Sequence, residues 1–248
     1  LPRFKITIQY DGTAYHGWQV QKEGSTIQGE LEKALSVLNK GEKVNVIGSG
    51  RTDSGVHALK QVAHFDLQTE MPACDLSSAI NGNLSKDIRV KDCWVVPDEF
   101  HARFSAVKRQ YVYRCRTDDS IMDRNSVWST GELDIDALNG LASLVLGEHD
   151  FTSFSKANPE IENRVCTIHL SEWSMDSDIV NYRVSANRFL HHMVRYLVGS
   201  MVEVTRQKMT QTEFESLLNE PRENVKIFRA PAQGLYLEQV EYDGADDF

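Results

Sequence analysis

Gly48-Ser49-Gly50-Arg51-Thr52-Asp53-Ser54-Gly55-Val56-His57-Ala58 is the segment of this chain richest in groups that do chemistry. An acid and a guanidinium stand two residues apart, among three glycines that let the backbone bend and approach a ligand closely. A carboxylate held in such a loop can attack carbon or remove a proton. The phosphate-binding loops are a poor fit, because there is no Gly-x-x-x-x-Gly-Lys and no helix clearly follows. Asp53-Ser54-Gly55 also suits an Asx turn, and on local chemistry alone that is the commoner use of such a tripeptide.

Two further segments carry reactive or binding groups. A helix is expected from Phe189 to Val204, with Leu190, Met193, Val194, Leu197, Val198 and Met201 as its apolar stripe. Arg188, His192 and Arg195 then share another face, being four and three residues apart. An arginine beside a carboxylate holds that acid ionised and oriented. Adjacent histidines on a helix diverge by about 100°, so His191 and His192 are not expected to chelate together, and no metal site is expected. On a strand, Lys108-Arg109-Gln110-Tyr111-Val112-Tyr113-Arg114 places Arg109, Tyr111 and Tyr113 on one face, and Lys108, Gln110, Val112 and Arg114 on the other. Rings interleaved with cations suit base stacking and phosphate contact, although half-buried tyrosines in an ordinary sheet are the commoner case.

Charge distribution bears on the partner. The chain has a net charge of −9 and a pI near 5.4, which on the total alone argues against a nucleic-acid binder. Locally the sign reverses: Arg103, Lys108, Arg109, Arg114 and Arg116 lie between 101 and 116 with no acid. Arg183, Arg188, Arg195, Arg206 and Lys208 follow between 181 and 208 against Glu203 alone. Acids gather instead at 118–136 and in the tail from Glu238 to Asp247. Local sign steers a polyanion more than the total does, while solvated strand and helix faces explain the same charges equally well. Cys74, Cys93, Cys115 and Cys166 are far apart and form no Cys-x-x-Cys, so free buried thiols in a reducing cytoplasm are expected, rather than a zinc or disulfide framework. No run of about 18 apolar residues would span a membrane, and the first ten residues alternate like a strand instead of forming a secretion signal.

The elements that must position these groups mix strands and helices throughout. Phe4, Ile6, Ile8 and Tyr10 alternate with polar residues up to the Asp11-Gly12 turn. Ser25-x-x-Gln28 reads as a capping box ahead of Ile27, Leu31, Ala34, Leu35 and Leu38 at helical spacing. Strands are expected at 44–47, 61–66 and 88–96, with a helix at 75–84. In the second half strands are expected at 108–117, 164–175, 178–186 and 235–242, and helices at 136–146 and after Thr210-x-x-Glu213. Strand pairs close enough to be hairpins imply an α+β protein with largely antiparallel sheet, not a doubly wound parallel one. Two units, 1–105 and 106–248, are plausible, though the sequence shows no clear repeat.

Taken together and in order, these segments resemble the TruA family of tRNA pseudouridine synthases. The resemblance lies in Tyr10-Asp11-Gly12, Gly17-Trp18-Gln19, Gly50-Arg51-Thr52-Asp53-Ser54-Gly55-Val56-His57-Ala58, Arg109-Gln110-Tyr111 and His149-Asp150-Phe151. It continues in Phe189-Leu190-His191-His192-Met193-Val194-Arg195 and Ala230-Pro231-Ala232-Gln233-Gly234-Leu235-Tyr236-Leu237. It covers essentially the whole chain.

The resemblance implies a pseudouridine synthase fold: two similar mixed domains with largely antiparallel sheets, flanked by helices, and a catalytic cleft between them. It implies Asp53 as catalytic nucleophile or base, Tyr111 as the ring that stacks on the target uracil, and Arg195 as the arginine that pairs with the aspartate. Arg51 aligns with an arginine near the flipped nucleotide and Leu235 with an aliphatic residue lining the pocket, while Arg109 and Arg114 are expected to meet RNA phosphates. The implied reaction isomerises uridine at positions 38, 39 and 40 of the tRNA anticodon stem-loop, in the cytoplasm, by a homodimer, without a cofactor or a metal. A non-catalytic RNA-binding module would explain the basic aromatic strand but gives the Asp53 loop and Arg195 no purpose. A metal-dependent hydrolase would use the histidines and acids.

Overall fold

The computed structural model describes residues 1–243. The end of the acidic tail, 244–248, lies outside the described residues. In chain order the elements are β1 (Arg3–Tyr10), α1 (Ile27–Leu38), β2 (Ile47–Gly48), β3 (His57–Asp66), α2 (Ala73–Gly82), β4 (Ile88–Val96), β5 (Ala106–Arg116) and β6 (Trp128–Ser129). They continue with α3 (Ile135–Leu144), β7 (Gly147–Asp150), β8 (Val165–Asp176), β9 (Ile179–Ala186), α4 (Met193–Thr205), α5 (Gln211–Asn219) and β10 (Leu235–Tyr242). The class is α+β with mostly antiparallel pairing. No helix among the described residues is long and apolar enough to cross a membrane.

The described chain divides into two compact units, one formed by Leu1–Val107 with Tyr236–Asp243, the other by Lys108–Leu235. The closing strand thus belongs to the first unit, whereas the sequence reading kept 106–248 together. Within that unit Tyr236 and Leu237 of β10 run parallel to His57 and Ala58 of β3.

In the first unit β1 is flanked by antiparallel β3 and β4. The strand's alternation puts Phe4, Ile6, Ile8 and Tyr10 in the core, where Phe4 stacks on Phe65 at 5.6 Å. Ile27, Leu31 and Leu35 of α1 and Leu76 and Ile80 of α2 are buried as well. On the other face Lys5 is also buried, its ammonium within 5.2–5.6 Å of the Trp94, Phe100 and Tyr242 rings. The cap of α1 differs from the expected box. Thr26, not Ser25, is the N-cap and accepts from the Gly29 N–H. Gln28 instead accepts from the Val20 N–H and donates to the Val46 carbonyl. That second bond ties down 42–46, which is buried at Val44 and Val46 but is not the strand expected there.

In the second unit β5, β9, β8 and β7 form an antiparallel sheet, with β6 parallel on β5. Its core includes Leu138 and Leu141 of α3 and Leu197, Val198 and Met201 of α4, together with Trp173, Val180, Tyr182 and Val184. The buried Tyr182 hydroxyl is satisfied by Ser171 at 2.8 Å, and the Trp173 indole N–H points at the Met201 sulfur. The Thr210/Glu213 capping box is present on α5. Cys115 and Cys166 are buried, but Cys74 is exposed, against the expectation of buried thiols.

Candidate active site

Asp53 sits half-buried between β2 and β3, on a loop held by several backbone and side-chain bonds. The Val56 N–H donates to the Asp53 carbonyl and Gly55 has φ +78, so 53–56 form a β-turn of the kind that needs a positive φ at its third residue. The Gly55 N–H, which an Asx turn at Asp53 would use, goes instead to the Tyr15 carbonyl at 3.3 Å. Neither of these two bonds uses the Asp53 carboxylate.

Upstream, the Ser49 hydroxyl donates to Gln61 Oε1 at 2.7 Å and Gln61 Nε2 donates to the Gly50 carbonyl at 3.1 Å. Thr52 is buried; its hydroxyl meets the Tyr10 hydroxyl at 2.8 Å and its carbonyl accepts from the Trp18 N–H at 3.0 Å. Burial pushes the Tyr10 phenol far up, so it stays a neutral hydrogen-bonding group. Two glycines of the first segments make room for this. A Cβ on Gly12 would fall 2.0 Å from the Val56 carbonyl oxygen, and one on Gly17 would fall 2.6 Å from that of Thr52. Gly12 also donates its N–H to Nδ1 of the buried His57 at 3.1 Å. Of the three glycines in the loop itself, Gly48 packs on the Trp18 ring and Gly55 needs its positive φ, but Gly50 faces open space. Arg51 is exposed on the same loop.

Tyr111, Arg195, Leu235, Arg109 and Arg114 all belong to the second unit. The β5 register sets Arg109, Tyr111 and Tyr113 opposite Ala186, Val184 and Tyr182, which keeps the expected alternation. Tyr111 is buried and meets Phe189 edge-on at 5.1 Å. Arg109 donates to the Asn187 carbonyl at 3.0 Å, so part of its role is to tie the end of β9. Arg114 is half-buried.

The helix expected from Phe189 starts only at Met193. The Leu190 carbonyl accepts from the Met193 N–H and the His191 carbonyl from the Lys156 N–H, while the first helical bond runs from the Tyr196 N–H to the His192 carbonyl. His192 then turns the chain with φ +66. Arg188 and His192 consequently do not share a helix face with Arg195. Arg188 reaches the Val165 and Asn163 carbonyls instead. The His191 and His192 rings lie 3.9 Å apart, centroid to centroid, so the angular argument against joint chelation does not apply to this backbone.

Arg195 stands in the first turn of α4 and is buried. Its Nε donates to the Ala230 carbonyl at 2.8 Å, while the Ala230 N–H donates to the Arg195 carbonyl at 3.0 Å. The first bond fixes the plane of the guanidinium, and with it the direction of the two terminal amino groups. Gly199 lets this strap cross the helix, since a Cβ there would lie 2.1 Å from the Phe228 carbonyl oxygen. The strap continues to Pro231, whose carbonyl accepts from the Tyr113 hydroxyl at 2.8 Å. Gly234 lies on the Tyr113 ring, and Leu235, the next residue, is buried. One segment, 230–235, thus places Arg195, β5 and Leu235 relative to one another.

Sequence reasoning missed Tyr10, Thr52, Gln61 and His57 as loop braces, and Ala230 as the partner of Arg195. Tyr10, Thr52, His57 and Ala230 lie within the motif segments, which was their signal, while Gln61 lies three residues beyond one.

A family model described as tRNA pseudouridine synthase matches residues 6–105 and 141–243. The tRNA pseudouridine synthase A of Anoxybacillus flavithermus is 40% identical over 245 residues, covering 98% of this chain and 100% of that protein. The protein of the same name from Maricaulis maris is 42% identical over 248 residues, covering 98% and 99%. Among solved structures, one titled "Crystal Structure of a Cbf5-Nop10-Gar1 Complex" matches with TM-score 0.37 and 11% identity, over 80% of this chain and 53% of that one. From the family match and the full-length relatives, the chain belongs to the tRNA pseudouridine synthase family, isomerases that act on uridine in tRNA.

Proposed function

We propose that this enzyme converts uridine to pseudouridine at positions 38, 39 and 40 of the tRNA anticodon stem-loop, with Asp53 as the catalytic carboxylate and without a cofactor. The observation that carries the assignment of Asp53 is its loop: a carboxylate on a turn whose closing backbone bond does not use it, braced on both sides by buried hydroxyl and amide groups. That is the preorganisation a reacting group needs.

The reaction breaks the C1′–N1 glycosidic bond, turns the detached uracil, joins C5 to C1′ and moves the C5 proton to solvent. The target base must first leave its stack. Tyr111 supplies the ring that receives it, and Arg51 supplies a cation for the vacated space or a phosphate. Asp53 acts at the ribose in one of two ways. It forms an ester at C1′ as N1 leaves, released when C5 attacks, or it takes the 2′ proton as N1 leaves to give a glycal, which is reprotonated when C5 bonds. Both need the ionised acid, which a guanidinium such as that of Arg195 favours. Leu235 contributes apolar surface that keeps water from the detached sugar. By the same resemblance the working unit is a homodimer in the cytoplasm, and sedimentation checks the first of these.

The test is pseudouridine mapping in tRNA treated with wild type or Asp53→Asn. Wild type is expected to modify positions 38–40 and the variant to lose at least about a thousandfold in rate. Tritium release from 5-tritiated uridine at near wild-type rate in the variant would remove Asp53 from the chemistry.

A further inference from the structure

The turn from His101 to Ser105 in the first unit is fixed from several sides. The His101 N–H donates to Ser105 Oγ at 3.0 Å, and the Ser105 N–H returns to the His101 carbonyl at 2.9 Å. Nδ1 of His101 accepts from the Arg103 and Phe104 N–H groups, each at 3.2 Å. Ala102, fully buried, donates its N–H to His64 Nδ1 at 3.1 Å and accepts from the Tyr242 hydroxyl at 2.7 Å. Both imidazoles act as acceptors at Nδ1, and burial pushes both toward their neutral forms.

What this rigid turn presents is a phenylalanine that is 77% exposed. One face of the Phe104 ring stacks on His101 at 4.4 Å and 30°. The Arg103 guanidinium carbon lies 5.6 Å from the ring centroid. A single exposed aromatic is ordinary, but one held on so constrained a backbone, with a cation beside it, is not accounted for by packing.

We propose that the His101–Ser105 turn is a contact for the tRNA substrate, with the Phe104 ring stacking on an unpaired base and Arg103 meeting a neighbouring phosphate. The inference rests on tRNA being the substrate. Three observations favour RNA as the occupant. Ring and guanidinium side by side are the pair that single-stranded nucleic acid requires. The turn itself carries Arg103 and no acid, and Lys108 and Arg109 follow it along the chain, charge of the sign that a polyanion complements. A preformed turn loses little freedom on binding, which favours a contact made on a mobile strand.

Binding of labelled tRNA to the full chain, followed by fluorescence anisotropy across a salt series, tests this. Phe104→Ala is expected to raise Kd roughly tenfold with unchanged melting temperature and sedimentation, and Phe104→Trp to restore binding. Arg103→Gln is expected to weaken binding and reduce the slope of log Kd against log salt by about one. If wild type modifies the same tRNA while Phe104→Ala binds it as tightly, the contact is wrong and the substrate stands. If wild type neither binds nor modifies it, both fall. If Phe104→Ala instead shifts sedimentation to a smaller species, the ring is a chain-to-chain contact and the proposal is overturned.

Discussion

The Tyr10 hydroxyl and the Thr52 hydroxyl meet at 2.8 Å in a buried position, one residue before Asp53. A strand of the core is thereby bonded directly to the loop that carries the candidate carboxylate. Removing either hydroxyl breaks this bond, at a cost of about 1–3 kcal/mol, the smaller loss being expected for Thr52, since the Tyr10 hydroxyl also interacts with the Gln61 side chain. Tyr10→Phe and Thr52→Val are each expected to lower single-turnover rates about tenfold or more by letting Asp53 drift. The double variant should cost little beyond either single one, which urea unfolding and a double-mutant cycle measure.

Glycines around the loop divide into required and tolerant ones. Gly12→Ala drives a methyl to 2.0 Å from the Val56 carbonyl oxygen, and backbone must move to relieve it. A loss of about 3 kcal/mol or more in unfolding free energy is expected. Gly50→Ala meets nothing within 4 Å and should leave stability within about 1 kcal/mol.

Tyr111 is held edge-on to Phe189, a contact that needs the ring and not the hydroxyl. Tyr111→Phe is expected to keep tRNA affinity within a fewfold and most of the turnover, while Tyr111→Ala loses at least about a hundredfold in kcat/KM. Equal losses in both would move the role to the hydroxyl.

Arg195→Lys keeps the charge but loses the Nε bond to Ala230. The buried Ala230 carbonyl then lacks its donor, at about 1–3 kcal/mol. Activity should fall at least about a hundredfold, because a lysine is not oriented as the planar guanidinium is. Gly199→Ala should reproduce part of this loss without touching Arg195, by displacing the strap at Phe228.

Stability should depend on pH through His64. Burial first, then the Arg3 charge and His101, lowers its pKa from 6.5 to about 4. The unfolded chain takes up the proton near pH 6.5 and the folded one only near 4, so between these values protons favour unfolding. Unfolding free energy should therefore be insensitive to this group above pH 6.5 and fall as pH drops toward 4, by on the order of 3 kcal/mol. His64→Asn, which keeps an acceptor for the Ala102 N–H, should flatten that slope in urea titrations at pH 4–8.

The sequence by itself determined the fold class and most elements. The β4 and β10 limits, the α5 capping box and the β5 alternation all follow from local periodicity and side-chain chemistry, which neighbouring residues carry. The motif segments also sufficed for the family. Tertiary structure decided what depends on partners distant in the chain. Whether Asp53 lies in an Asx turn turned on the Tyr15 carbonyl taking the Gly55 N–H. The start of α4 is set by the left-handed backbone at His192, which leaves Arg188 and His192 off the face of Arg195. The parallel pairing of Tyr236 and Leu237 with His57 and Ala58 likewise joins segments distant in the chain. A backbone donor or acceptor takes one of several competing partners, and the choice is made only when the folded chain brings the distant one within about 3 Å.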